Sequence, residues 1–367
     1  MQTKRIIVKL GTSVLTGGTK QLNRQRMLEI VQQVARLHQD GHEMIVVSSG
    51  AVAAGRERLN FPDLGRSVPA KQMLSAVGQG RLIRVYTDLF DIFSIPVGQI
   101  LLTRDDLDDR ARYLNARDTL LTLIEQRVVP VINENDTTAT HEIRVGDNDN
   151  LSALVANLLE ADLLVMLTDQ PGLFTADPRR YADARLISQV ERIDESTWAL
   201  AGGAGTSAGT GGMVTKIQAA QLASRSGVTT IIAGGKEPDI LARIVRGEAV
   251  GTRFEPVNTH LESRKRWLLA DSPAGALHID QGAAHKLLKD GASLLPVGTV
   301  TVAGDFSRGA MVAVIAPDGR KIAHGLTSYT SDEARQLCGV KSSRVVEILG
   351  YSYGDALIHR NNLVMLA

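Results

Sequence analysis

Residues 5–50 read "RIIVKLGTSVLTGGTKQLNRQRMLEIVQQVARLHQDGHEMIVVSSG", and their patterning decides the fold. "RIIVKL" is a short, nearly continuous apolar run. From Arg24 the apolar residues Met27, Leu28, Val31, Val34 and Leu37 recur at helical spacing until Gly41 supplies a stop. "EMIVVSS" is again a strand, and a helix is expected from about Ala51. The alternation continues with "IPVGQILL", a helix near Leu114 to Gln126, and the later runs "VVPVIN", "DLLVML" and "TTIIA". Continuous Val, Ile and Leu, without strict alternation, belong to strands covered on both faces, so the pattern predicts a mostly parallel, doubly wound α/β sheet.

After about Phe254 the style changes. "HLESRKRWLL" is a charged connector, followed by "ALHID", "GTVTVAG", "MVAVIAP" and "KIAHGL", short segments divided by Gly, Asp and Pro as in a small β-rich fold. The chain is thus expected to divide into residues 1–258, a linker over 259–271, and a second domain over 272–367.

Composition narrows the function. A net charge of +1 gives no global field to recruit nucleic acid or an anionic membrane, and 4% aromatic residues leave little for base stacking. Cys338 is the only cysteine, which rules out an intramolecular disulfide or a multi-cysteine metal site. No apolar run approaches the roughly 20 residues that span a bilayer, and "MQTKRIIVKLGTS" lacks the apolar core of a signal peptide, so a cytoplasmic protein without a membrane anchor is expected.

Ligands of open α/β sheets bind beyond the carboxyl ends of the strands. The first strand delivers Lys9, then Gly11, Thr12 and Ser13; a lysine in an apolar strand needs an anion, and a glycine after it lets backbone N–H groups approach one. The second ends in Ser48, Ser49 and Gly50, where Ser49 either caps the next helix or meets a substrate carboxylate at its N-terminus. From Asn133 to Asn150 half the positions are Asp, Glu or Asn, including Asn133, Asp136, Asn148 and Asp149. Turns and caps use one or two such groups; the whole set suits a zwitterionic ligand, with acceptors for an ammonium and donors for a carboxylate. Thr168 and Asp169 end a further strand, and "GTGGMVTK" carries Thr210, Gly211, Gly212, Met213 and Lys216 without being a Walker A loop. Glycine-rich turns, two lysines and an acidic cluster suit phosphoryl transfer, which depends on positioning and charge stabilisation. No general base is needed for a carboxylate acceptor, already ionised at neutral pH.

The ordered set "VKLGTSVLT", "SSGAVAAGRE", "QMLSAVGQGRL", "QILLTRDD", "LNARDTL", "PVINENDT", "VGDNDNLSALVA", "LLTDQPGLFTADP" and "GTGGMVTK" resembles the amino acid kinase superfamily, specifically its glutamate-phosphorylating branch, over essentially the whole chain. The resemblance implies a three-layer αβα sandwich and ATP-dependent phosphorylation of the side-chain carboxylate of L-glutamate to L-glutamyl 5-phosphate, the first step of proline biosynthesis. It assigns Lys9, Lys216 and Asp149 to catalysis. Ser49, Asn133, Asp136 and Asn148 fall to glutamate, and Lys9, Gly11, Thr168, Asp169, Thr210, Gly211, Gly212, Met213 and Lys216 to ATP. It also implies Mg²⁺ carried by the nucleotide, feedback inhibition by proline, assembly into dimers or tetramers, and handover of product to glutamyl phosphate reductase. Relatives acting on acetylglutamate, aspartate, carbamate or UMP share the lysine and glycine elements; a free ammonium beside Asp136 and the appended domain favour glutamate. "IDQGAAHKLLKDGASLLPVGTVTVAGDFSRG" and "HGLTSYTSDE" resemble a PUA domain, a module associated with RNA. From Asp271 to Ala367 nine Lys/Arg face nine Asp/Glu, so no basic RNA footprint is expected.

Overall fold

The computed structural model describes residues 3–64, 67–139, 147–201, 212–260, 262 and 272–366. The packing resolves two units, residues 1–107 with 117–260, and residues 108–116 with 261–367.

In the first unit β1 (Arg5–Leu10) leads through α1 (Thr12–Thr16) to α2 (Arg24–Gln39), β2 (Glu43–Ser48) and α3 (Ala51–Arg58). The sequence reading of α2 holds. Asn23 caps it by accepting from the Arg26 N–H, Met27, Val31, Val34 and Leu37 are buried, and Gly41 follows its end with φ +95°. The chain continues through α4 (Val68–Asp91), β3 (Val97–Leu102), α5 (Arg104–Asp108), α6 (Arg110–Glu125), β4 (Val129–Glu134), α7 (Asp147–Leu158) and β5 (Leu163–Thr168). It closes with β6 (Gln189–Val190), α8 (Glu195–Leu200), α9 (Met213–Ser224), β7 (Thr229–Gly234), α10 (Ile240–Val245) and β8 (Thr252–Phe254).

The eight strands lie in the order β3-β4-β2-β1-β5-β7-β8-β6. Only the β7–β8 pairing is antiparallel, so the mostly parallel sheet expected from the sequence is what forms. β4 and β5 are buried at every position and β1 and β2 at all but the first, because helices cover both faces. With β1 between β2 and β5, all parallel, the carboxyl ends of the central strands share one edge; Leu10 stands opposite both Ser48 and Leu167.

The sequence pattern did not predict α4, the longest helix at 24 residues. Its interior glycines have a packing role. A Cβ on Gly78 would lie 1.8 Å from the Ala51 carbonyl oxygen, and one on Gly55 1.9 Å from that of Leu74, so α3 and α4 cross backbone to backbone.

In the second unit, a five-stranded sheet runs β10 (Thr299–Ala303), β9 (Gly275–Ile279), β11 (Met311–Ile315), β12 (Lys321–Leu326), β13 (Leu363–Met365) in spatial order. The β9–β11 pair is parallel and the rest antiparallel. Its core includes Leu277, Val312, Val314, Tyr329 and Ile358. Leu114, from the 108–116 segment, is buried with Met311, Leu326 and Val364.

Candidate active site

Lys9 lies on β1, Asp149 in the first turn of α7, and Lys216 in the first turn of α9. All three are buried, at 5%, 1% and 8% exposure, a level charged residues reach only when paired. Asp149 is the pairing group. Lys9 Nζ contacts its Oδ1, Lys216 Nζ lies 3.2 Å from its Oδ2, and the Thr215 hydroxyl donates to Oδ2 at 2.7 Å. Burial alone would raise the Asp149 pKa, but the two lysines and the Thr215 hydrogen bond hold it below the usual aspartate value. Burial pulls Lys9 below an ordinary lysine, with Asp149 opposing. Two ammonium groups against one carboxylate leave the cluster with one uncompensated positive charge, a ready counter-charge for an anion.

Beside it runs a chain of amides. Asn133 is the penultimate residue of β4, and its Nδ2 donates to Gln79 Oε1 on α4 at 2.8 Å. Asn148 Nδ2 donates to Asn133 Oδ1 at 3.0 Å and to Ser49 Oγ at 3.1 Å. Asn148 Oδ1 is buried with no partner among the described residues. Asp136 accepts the Ser75 hydroxyl at 2.5 Å. Burial raises its pKa, while the Ser75 hydrogen bond and the Lys71 charge pull it back. Ser49 is not the helix cap: α3 starts from Gly50 at φ +103°, without a side-chain cap. Its neighbour Ser48 turns away from the site and shares a 2.8 Å hydrogen bond with Tyr86.

On the other side of the lysines, Gly11 follows β1, where a Cβ would stand 3.7 Å from Lys9 Nζ. Thr168 ends β5 and its hydroxyl donates to Asp169 Oδ1 at 3.0 Å. Gly212 precedes α9 with open space where a Cβ would point, leaving the first N–H groups of that helix without a side-chain cap. Thr210 and Gly211 lie outside the described residues. One cleft of about 880 Å³ takes in every described candidate except Gly212 and Met213.

Residues 4–234 match the amino acid kinase family. The chain belongs to that family. Residues 275–349 match the PUA domain. Among curated relatives, glutamate 5-kinase of Herpetosiphon aurantiacus is 56% identical over 98% of both chains. Those of Sodalis glossinidius and Deinococcus radiodurans are each 52% identical, covering 99% of this chain and 99% and 100% of their own.

For an amino acid kinase, several residues here escaped the sequence reading. Gln79, Ser75 and Thr215 fix the groups just described, and Gln72 Nε2 reaches the Thr137 and Ala139 carbonyls. For Gln72, Ser75 and Gln79 the only sequence signal was polar positions recurring along "QMLSAVGQG"; Thr215 stands next to Lys216 in "GTGGMVTK". A smaller pocket of about 340 Å³ shares Ser13, Thr168 and Asp169 with the cleft and adds Gly235 and Lys236. There the "AGGK" after β7 repeats the glycine-and-lysine strand ending seen at β1. Among the described residues no group of three or more His, Cys, Asp or Glu could hold a metal ion, and no helix is long and apolar enough to cross a membrane.

Proposed function

We propose that the protein transfers the γ-phosphoryl group of ATP to the side-chain carboxylate of L-glutamate, giving L-glutamyl 5-phosphate and ADP, the first step of proline biosynthesis. One observation carries this reading: the buried Lys9–Asp149–Lys216 cluster, one positive charge in excess, borders the Ser49–Asn148–Asn133 chain and Asp136 in a single cleft. The names of the full-length relatives support the substrate.

Phosphoryl transfer places charge on the non-bridging oxygens of the migrating group, and preorganised cations stabilise it without reorganising. Lys9 and Lys216 fill that role, and Asp149, in contact with both, holds them in place. The acceptor carboxylate attacks the γ-phosphorus directly, the bond to the β–γ bridging oxygen breaks, and ADP leaves with the electron pair; no proton moves. Ser49, Asn133, Asp136 and Asn148 hold glutamate, Asp136 and Asn148 Oδ1 taking its ammonium. Gly11, Thr168, Asp169 and the Thr210–Gly211–Gly212–Met213 turn hold the nucleotide. The oxygens of Asp149 are engaged by the lysines and Thr215, so Mg²⁺ would be carried by the phosphates and water, where it neutralises charge. The kinase domain spans 1–258 and the PUA-like domain 272–367.

The test is incubation with ATP, Mg²⁺ and hydroxylamine, offering L-glutamate, L-aspartate and N-acetylglutamate separately. Acyl hydroxamate and ADP with glutamate alone is the expected result. Product only with another acid would overturn the substrate assignment, and no product with any would overturn the activity.

A further inference from the structure

Four residues of α4 lie along one side of the helix, and two of them, Ser75 and Gln79, bond side chains that line the cleft, while the other two bond the chain around it. Gln72 holds the 137–139 backbone, Ser75 donates to Asp136, Gln79 accepts from Asn133, and Tyr86 bonds Ser48 at the end of β2. Their spacing of three, four and seven residues brings them to one face of a helix.

The link through Gln79 has a direction. An asparagine amide has two donor hydrogens on one end and an acceptor on the other, so in a chain of amides the orientation of the first fixes the rest. Gln79 offers Oε1, so Asn133 turns its Nδ2 toward α4 and its Oδ1 toward Asn148. Asn148 must answer with Nδ2, and spends its two hydrogens on Asn133 and Ser49. What remains is Asn148 Oδ1, buried and without a partner among the described residues, on a residue that lines the cleft. Reversing Gln79 would reverse every amide and present an Asn148 N–H there instead.

We infer that Gln79 is a positioning residue that determines specificity: by fixing the direction of the Gln79–Asn133–Asn148 chain it leaves an unpaired acceptor on Asn148, a residue that lines the same cleft as Asp136, so the site demands a substrate with a free ammonium group. A deaminated or N-acylated acid cannot satisfy that acceptor, and an unpaired buried acceptor is costly. The inference rests on the proposed glutamate kinase activity and adds the origin of its selectivity.

The test compares kcat and KM for L-glutamate and for glutarate, which has both carboxylates and no ammonium. Gln79→Leu removes the acceptor and frees the chain to reverse; Gln79→Glu, which can only accept, keeps the direction. The Leu variant should lose about 10- to 100-fold in kcat/KM for glutamate, the size of a hydrogen bond to a charged group, through KM. Its glutarate kcat/KM should stay at the wild-type value, and the Glu variant should retain glutamate preference. A purely structural role for Gln79 would depress both substrates together, and that outcome, or an unchanged glutamate-to-glutarate ratio in the Leu variant, overturns the inference. Wild-type enzyme that makes no glutamyl hydroxamate would instead overturn the activity on which it rests.

Discussion

At the scale of single residues, the proposed function separates groups that meet developing charge from groups that meet the ground state. Lys216 belongs to the first set, so Lys216→Ala should lower kcat by roughly 10²–10³, as loss of an oxyanion donor does, with a smaller change in the glutamate KM. Turnover at the wild-type rate would remove Lys216 from the transition state. Asp136 belongs to the second set, and its pKa carries a stability consequence. Burial raises it above the ordinary aspartate value. A carboxyl that binds its proton more tightly when folded favours the fold at pH below the unfolded pKa, and that advantage is lost as pH rises through the folded pKa. At neutral pH the ionised Asp136 is therefore a strain on the fold, which its proposed role in binding the substrate ammonium would account for. Asp136→Asn should melt higher than wild type at neutral pH, with the difference shrinking as pH falls through the raised pKa, while the glutamate KM rises. Thermal unfolding across pH checks this, and a variant that melts lower at neutral pH contradicts it. Lys9 and the 133–150 cluster were legible in the sequence because a lysine in an apolar strand and a crowd of carboxylates each demand a partner. Ser75 and Gln79 were not, since their partners stand 61 and 54 residues away and nothing local marks the pairing.

At the scale of elements, the α3–α4 crossing governs where Ser49 and Gly50 sit. With a Gly78 Cβ 1.8 Å from the Ala51 carbonyl oxygen, no side-chain rotation relieves the clash, and the helices must separate. Gly78→Ala should cost about 1–3 kcal/mol, or roughly 2–10 °C in Tm, and raise the glutamate KM because α3 begins one residue after Gly50. An unchanged melting curve together with an unchanged KM would show that the crossing has slack. The same glycines explain why α4 was hidden: Gly78 and Gly80 weaken a helical pattern and read as breakers until the close approach is seen. The parallel strands were legible because being buried on both faces writes itself as unbroken Val, Ile and Leu. The three-residue antiparallel β8 is too short to leave a pattern.

At the scale of the molecule, α6 belongs to both units, since its residues 110–116 fall in the C-terminal unit and 117–125 in the N-terminal one. The change of style after Phe254 does not reveal this, because sequence order does not show that an earlier segment supplies part of a later core. Leu114, at 1% exposure, supplies it by packing on Met311, Leu326 and Val364. Leu114→Ala should therefore destabilise the C-terminal unit by about 2–5 kcal/mol through the cavity it leaves. Calorimetry with and without nucleotide makes the effect assignable, because a ligand raises the transition of the unit that binds it. The transition raised by ATP belongs to the kinase unit; the variant should lower the other one and leave phosphorylation below both transitions near the wild-type rate. If only the ATP-protected transition moves, Leu114 supports the kinase core instead. For the same reason a chain ended at residue 260 would bring Leu114 to water, so activity lost on truncation is diagnostic of the C-terminal unit only if a polar substitution at Leu114 fails to restore it.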